Sequence, residues 1–379
     1  MRPRLLLVGG TRPEVLKLAP LVRAIVARGR LEVRLGLLEQ QRELLAKTCA
    51  DVGLTPEACE APQAPEASGP PDFGRLRAAA ERLVRRSAPD AVLVQGDTSS
   101  AAAGALAAYG QRRPLAHVEA GLRTHDLELP FPEEGHRVLI DRLAQRCYAP
   151  TDRAWRNLLA EGVRGEHILI SGNTGIDALL AHGLPPRDPA ALWCARPRAI
   201  LVTAHRRENY GAPLARMRVA LERLIAAHRD LVVHFIVHPN PRARVPGLDQ
   251  LARTGRLTCH APLPQAAFLE LMTRMLFVLT DSGGVQEEAP YLGVPVLILR
   301  TKTERPEGLA AGTARLVGCD PAAIWSAAQE LLLDRATYLA SARRLRPYGD
   351  GRAGERIAAD LARWLQAEAG SRAAWSQAA

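Results

Sequence analysis

The 379-residue chain is 47% hydrophobic and 24% charged, with a formal net charge of +10. That composition excludes a disordered protein and exceeds what one ordinary core accommodates, so two globular domains are expected. The basic excess is diluted over a large surface, and no stretch interleaves basic with aromatic residues, which argues against nucleic acid as a partner. The six cysteines, Cys49, Cys59, Cys147, Cys194, Cys259 and Cys319, show neither a CxxC pair nor a Cys/His cluster, so they read as reduced thiols and no metal is expected. Only LLLV precedes the first glycines, and the Ala-rich run near 101–109 is too short to span a bilayer. The expectation is a soluble, cytoplasmic protein without membrane contact.

Short apolar runs alternate with amphipathic stretches: LLLV (5–8), VRLGLL (33–38), AVLVQ (91–95), PLAHV (114–118) and ILI (168–170). After the Pro-rich HGLPPRDP (182–189) the pattern restarts with AILVTA (199–204), LVVHFIV (231–237), LFVLT (276–280) and VPVLIL (294–299). Continuous apolar strands separated by helices indicate parallel sheets covered on both faces. The fold class is therefore α/β, with two Rossmann-like doubly wound domains facing a cleft. The expected domains are 1–171 and 172–354, with a C-terminal helix of about 355–379 packing back on the first.

VGGTRPEVLKLAP (8–20) runs from a strand into a helix. Thr11 and Glu14 have capping-box spacing, and Pro13 suits a first turn, so free amides near Gly10 gather at the carboxyl end of the strand. Arg12 and Lys17 add positive charge. The segment is either an anion site or a capped helix with two solvated cations; it fits neither the P-loop nor the dinucleotide fingerprint. FVLTDSGGVQEEAP (277–290) repeats the design. There the amides of Ser282, Gly283 and Gly284 can approach a phosphate, and Glu288 can accept hydrogen bonds from a ribose diol.

Acids and bases fill the interval. Asp97 in QGDTSS and Glu119 in HVEAGLRT each follow an apolar strand, and Glu133, Glu134 and Arg137 lead a helix after PFP. His205 ends a strand beside Arg206 and Arg207, a placement suited to a diphosphate.

Together with SGNTGIDALL, TERPEGLAAGT and PYGDG, these motifs cover nearly the whole chain in order, and the chain resembles the non-hydrolysing UDP-N-acetylglucosamine 2-epimerases. The resemblance implies a GT-B type fold, a homodimer, no cofactor, and reversible conversion of UDP-GlcNAc to UDP-ManNAc. It assigns Asp97, Glu119 and Glu133 as acid/base groups supported by Lys17 and Arg137. Arg12, His205, Ser282, Gly283, Gly284, Glu288 and Arg305 would hold UDP, with Phe268 near the uracil and His205 also counted with the catalytic groups. The implied route eliminates UDP to give 2-acetamidoglucal and re-adds it after protonation of C2 from the other face.

The chain departs from the family where Gln41 replaces a usual His, where the Pro-rich loop 61–73 lacks the usual Gln-containing pattern, and where His136 replaces a usual Asn. The first two departures speak against the activating second UDP-GlcNAc site of many bacterial members. Rival readings are a hydrolysing epimerase releasing ManNAc, a GT-B glycosyltransferase and a non-catalytic UDP-sugar sensor; three carboxylates exceed what a transferase needs.

Overall fold

The computed structural model describes residues 2–38, 42–60, 72–238, 240 and 243–378, so Gln41 and residues 61–71 of the departing loop lie outside it. The chain forms two compact units, Met1–Ala178 with Tyr348–Ala379, and Leu179–Pro347. These boundaries fall a few residues from the sequence-based ones.

Unit 1 carries a seven-stranded sheet of β1 (Arg4–Gly9), β2 (Glu32–Leu38), β3 (Ala58–Glu60), β4 (Ala91–Gln95), β5 (Leu115–Val118), β6 (Arg146–Ala149) and β7 (Ile168–Ile170). All pairs are parallel in the order β3-β2-β1-β4-β5-β6-β7. Its centre shows why the apolar runs are continuous. Leu5 and Leu7 enter one core with Leu18, Leu21 and Ile25 of the helix Arg12–Arg28, whereas Leu6 and Val8 enter another with the helix Ser99–Gly110. With both faces covered, period-two alternation disappears from the sequence. The Ala-rich run is the second of those helices. Its small side chains let it lie close to the sheet, and a Cβ on Gly104 would stand 3.1 Å from both Val8 Cγ1 and Val94 Cγ1.

The C-terminal helix Ala353–Ala378 completes unit 1 by adding Ile357, Leu361 and Leu365 to the core around Leu18. Tyr148 anchors it by donating its hydroxyl to Asp360 Oδ2 at 3.1 Å.

Unit 2 repeats the plan with β8 (Arg198–Thr203), β9 (Leu231–Ile236), β10 (Leu257–His260), β11 (Val278–Thr280), β12 (Val296–Ile298) and β13 (Ala314–Leu316), parallel in the order β10-β9-β8-β11-β12-β13. In each sheet the strand order reverses direction at one point, β1/β4 and β8/β11. Open α/β sheets bind ligands at the carboxyl ends of such a pair, and the two glycine-containing joints of the sequence fall there. Among the described residues no helix is long and apolar enough to cross a membrane.

Candidate active site

At the β1/β4 switch point of unit 1, Glu14 ties the turn after β1 to the turn after β4. Its Oε2 accepts from the Gly10 amide at 3.0 Å and the Thr11 hydroxyl at 2.7 Å, and its Oε1 accepts from the Thr98 hydroxyl at 2.6 Å. The capping box expected at Thr11 is thereby changed. Thr11 occupies the N-cap position, but its side chain turns to Glu14 and caps no amide of the helix. Thr98, by contrast, does cap its helix, accepting from the Ala101 amide at 3.0 Å. Burial pushes the Glu14 carboxyl up to about 7 despite these donors. Gly10 serves close approach, since a Cβ there would lie 2.0 Å from Ser100 Oγ and 2.8 Å from the Leu38 carbonyl. Arg12 opens the helix and is half-buried.

The acids sit one and two strands further along the same carboxyl edge. Glu119 directly follows β5 with φ of 71°, a left-handed conformation that costs a non-glycine residue on the order of 1–3 kcal/mol and concentrates at functional sites. Its Oε2 receives Lys17 Nζ, Gln95 Nε2 at 2.9 Å and Asn173 Nδ2 at 3.5 Å. Asp97, two residues beyond Gln95, receives Arg137 Nε on Oδ2 at 2.8 Å. Unit 1 thus pairs Glu119 with Lys17 and Gln95, and Asp97 with Arg137, while Glu133 begins the helix Glu133–Leu143 that carries Arg137. Glu134 is the second carboxylate on Arg137: it is 1% exposed and also accepts the Thr124 and His125 amides, each at 2.9 Å. His136 donates Nδ1–H to the Asp97 carbonyl at 2.9 Å, because a carbonyl only accepts, and its ring stacks on Phe73. Gln95 and Asn173 were missed as site residues; a buried amide at the end of an apolar strand, as in AVLVQ, was the available signal.

In unit 2 the switch point is held by Asp281, which is fully buried. Its Oδ2 accepts the amides of His205 and Arg206 and the Asn209 side chain, each at 2.9 Å. Thus the Asp of TDSGG organises the 205–209 loop. Ser282 is the N-cap of the helix Gly283–Leu292, yet its hydroxyl makes no capping bond. Arg305, nominated for UDP, is 5% exposed and lies behind this turn, bound to Glu304 and to Glu287 Oε1, the latter at 2.6 Å. A Cβ on Gly283 would meet its guanidinium at 2.7 Å. Glu288 receives Gln265 Nε2 at 3.2 Å, which joins it to the helix Gln265–Thr273 that carries half-buried Phe268. His205 stacks on His238 with centroids 5.3 Å apart, a partner the sequence did not single out. Burial, reinforced by Arg206 and opposed by Asp281, holds the His205 imidazole below its ordinary pKa. Gly284, second in that helix, has open space where a Cβ would point. Among the described residues no group of three His, Cys, Asp or Glu could hold a metal ion.

Residues 63–362 match the family model described as UDP-N-acetylglucosamine 2-epimerase. The UDP-N-acetylglucosamine 2-epimerase of Escherichia coli strain K12 is 39% identical over 370 residues, covering 93% of this chain and 97% of its own. The Staphylococcus aureus MnaA–UDP co-structure superposes with a TM-score of 0.88 at 37% identity, covering 96% of this chain and 97% of that one. The Neisseria meningitidis UDP-GlcNAc 2-epimerase bound to UDP-GlcNAc gives 0.88 at 33% identity, covering 94% and 99%.

Proposed function

The chain belongs to the UDP-N-acetylglucosamine 2-epimerase family, and from that premise we propose that it inverts C2 of UDP-N-acetylglucosamine to give UDP-N-acetylmannosamine, reversibly, by losing and regaining UDP. The C2 proton has no adjacent carbonyl to acidify it. Cleavage of the C1–O bond supplies that acidity: the electron pair leaves with UDP, a carboxylate takes the C2 proton, and C1=C2 closes as 2-acetamidoglucal. Protonation of C2 from the opposite face and return of UDP to C1 complete the epimer.

Residues of unit 1 carry the proton transfers in this reading, with Asp97, Glu119 and Glu133 as acid/base groups, Lys17 and Arg137 as their cationic partners, and Arg12 drawn to the diphosphate. Residues of unit 2 carry the nucleotide: Ser282, Gly283 and Gly284 at the diphosphate, His205 beside them, Glu288 at the ribose and Phe268 near the uracil. Arg305 supports the glycine turn from behind. The observation that carries the reading is Glu119, held in a left-handed backbone with Lys17, Gln95 and Asn173 converging on one oxygen. Such a costly conformation is retained where geometry serves chemistry.

Purified protein in D2O, given UDP-GlcNAc and no NAD, is expected to form UDP-ManNAc deuterated at C2. Free ManNAc as the main product would establish hydrolysis instead, and an epimer without solvent deuterium would sink elimination. The proposal omits an activating second substrate molecule, so the rate curve is expected to be hyperbolic; a sigmoidal one would contradict it. A cytoplasmic homodimer completes the reading, and light scattering on the eluted protein tests the dimer.

A further inference from the structure

Behind the acid/base residues of unit 1 lies a buried charge network that the proposed reaction does not use. Asp141 is 1% exposed and belongs to the helix that begins with Glu133. Its Oδ1 meets His117 Nδ1 at 2.6 Å, and its Oδ2 accepts the Gly121 amide at 3.0 Å and Arg123 Nη2 at 2.7 Å. His117, fully buried, points its other nitrogen at the Gly96 carbonyl at 2.8 Å. A carbonyl and a carboxylate both accept, so both ring nitrogens carry hydrogen and the ring is an imidazolium. Arg123 continues to Glu161 through two bonds of 2.7 and 2.8 Å. Two cations thus face two carboxylates, which makes burial of the set tolerable. Burial alone would raise the Asp141 carboxyl, but His117 and Arg123 hold it below the usual carboxylate range.

Gly96 immediately precedes Asp97, and Gly121 closes the turn that begins at Glu119. One carboxylate therefore grips both turns, one directly and one through an imidazolium, from the helix that presents Glu133. Gly96, buried with φ of 71°, donates its amide to the Val118 carbonyl at 2.9 Å, and the His117 bond to its own carbonyl gives that turn a second tie. We infer that Asp141 is a positioning residue that sets the spacing between the Asp97 and Glu119 turns, and through it the coordination of proton removal with proton return.

This inference rests on the elimination reading and makes a distinct demand. If the two carboxylates lose their relative placement, the proton still departs but returns late, and more intermediate escapes as 2-acetamidoglucal and UDP. The released glucal per epimer formed is independent of how much enzyme is folded, so it separates positioning from mere stability. The experiment compares full-length wild type, Asp141→Asn and His117→Gln in D2O with UDP-GlcNAc, recording kcat, KM, thermal midpoint and the glucal-to-epimer ratio. The expected result for Asp141→Asn is a fall in kcat of roughly 100-fold, the scale of a small misplacement of reacting groups, with KM little changed and a ratio raised about tenfold or more. His117→Gln, which keeps a donor for Gly96 but no charge, should raise the ratio less, and the double variant should fall short of the combined effects because both act on one linkage. Leu224→Ala, in the unit 2 core, should lower the midpoint and leave the ratio alone. Ratios equal to wild type in both His117→Gln and Asp141→Asn, or in His117→Gln alone should the other variant not fold, would overturn the inference. Wild-type epimer lacking solvent deuterium would instead overturn the elimination reading.

Discussion

Lys17 of the first helix and Glu119, 102 residues later, form an ion pair with side chains only 12% and 6% exposed. A pair so enclosed fixes where the carboxylate points. With proton transfer assigned to this region and UDP to residues of unit 2, the two activities should separate on mutation. Asp97→Asn and Glu119→Gln are expected to lower kcat by about 10²–10⁴-fold, the contribution typical of a general acid or base. UDP affinity, measured by calorimetry, should stay within a few-fold of wild type. Parallel loss of both would mark these carboxylates as structural.

Two glycines are held by close neighbours. Gly10→Ala would drive a methyl into Ser100 Oγ and the Leu38 carbonyl, so a loss of roughly 1–3 kcal/mol in urea unfolding is expected, as for other overpacked sites. Gly283→Ala meets only the end of a side chain, but the Arg305 guanidinium is pinned by Glu287 and Glu304 and cannot yield freely. It should weaken UDP binding more than stability. Unchanged UDP affinity in Gly283→Ala would show that Arg305 moves aside.

Glu14 makes stability depend on pH in an uncommon direction. Its native carboxyl titrates at about 7 against an ordinary 4.5. Below 4.5 the folded and unfolded chains are both protonated, and between 4.5 and 7 the unfolded chain gives up its proton first. Stability therefore falls as pH rises through that window and levels off above it, by roughly 3 kcal/mol for this group. In Glu14→Gln the amide oxygen can still serve Gly10 and Thr11 while the NH2 donates to Thr98. Urea unfolding at pH 5 and pH 8 should show a wild-type decline that the variant loses; an identical decline in both would assign it to other groups.

His205 gives binding its own proton signature. Burial keeps its imidazole neutral below the usual pH, whereas a diphosphate placed beside it stabilises the imidazolium. UDP binding should take up a fraction of a proton near pH 6, read by calorimetry in buffers of differing ionisation enthalpy. His205→Gln should bind UDP with none. Uptake that persists in the variant would move the titration elsewhere, and uptake absent from wild type would place the diphosphate away from His205.

The central strands could be read because burial on both faces leaves apolar runs such as LLLV unbroken. Short strands such as Arg146–Ala149, reading RCYA, carry no such run and escaped notice. Asp97 and Glu119 were legible as the first acids beyond a buried strand. Half of the role of Glu14 was legible, since capping spacing accounts for its reach back to the Thr11 amide, while its bond to Thr98 depends on the pairing of β1 with β4. Arg305 has the right chemistry for a phosphate, and only packing reveals that Glu287 and Glu304 already hold it. His117 opens HVEAGLRT, yet nothing in that motif points to Asp141, since their pairing requires a helix to be laid on the sheet.

The helix Ala353–Ala378 belongs to the core of unit 1 but follows all of unit 2 in the chain. During synthesis the sheet of unit 1 leaves the ribosome with the groove beside Leu18 and Leu21 uncovered. It waits through residues 179–347 for its closing element. Unit 2, encoded without interruption, can be finished first, so the later half of the gene supplies the earlier completed half of the protein.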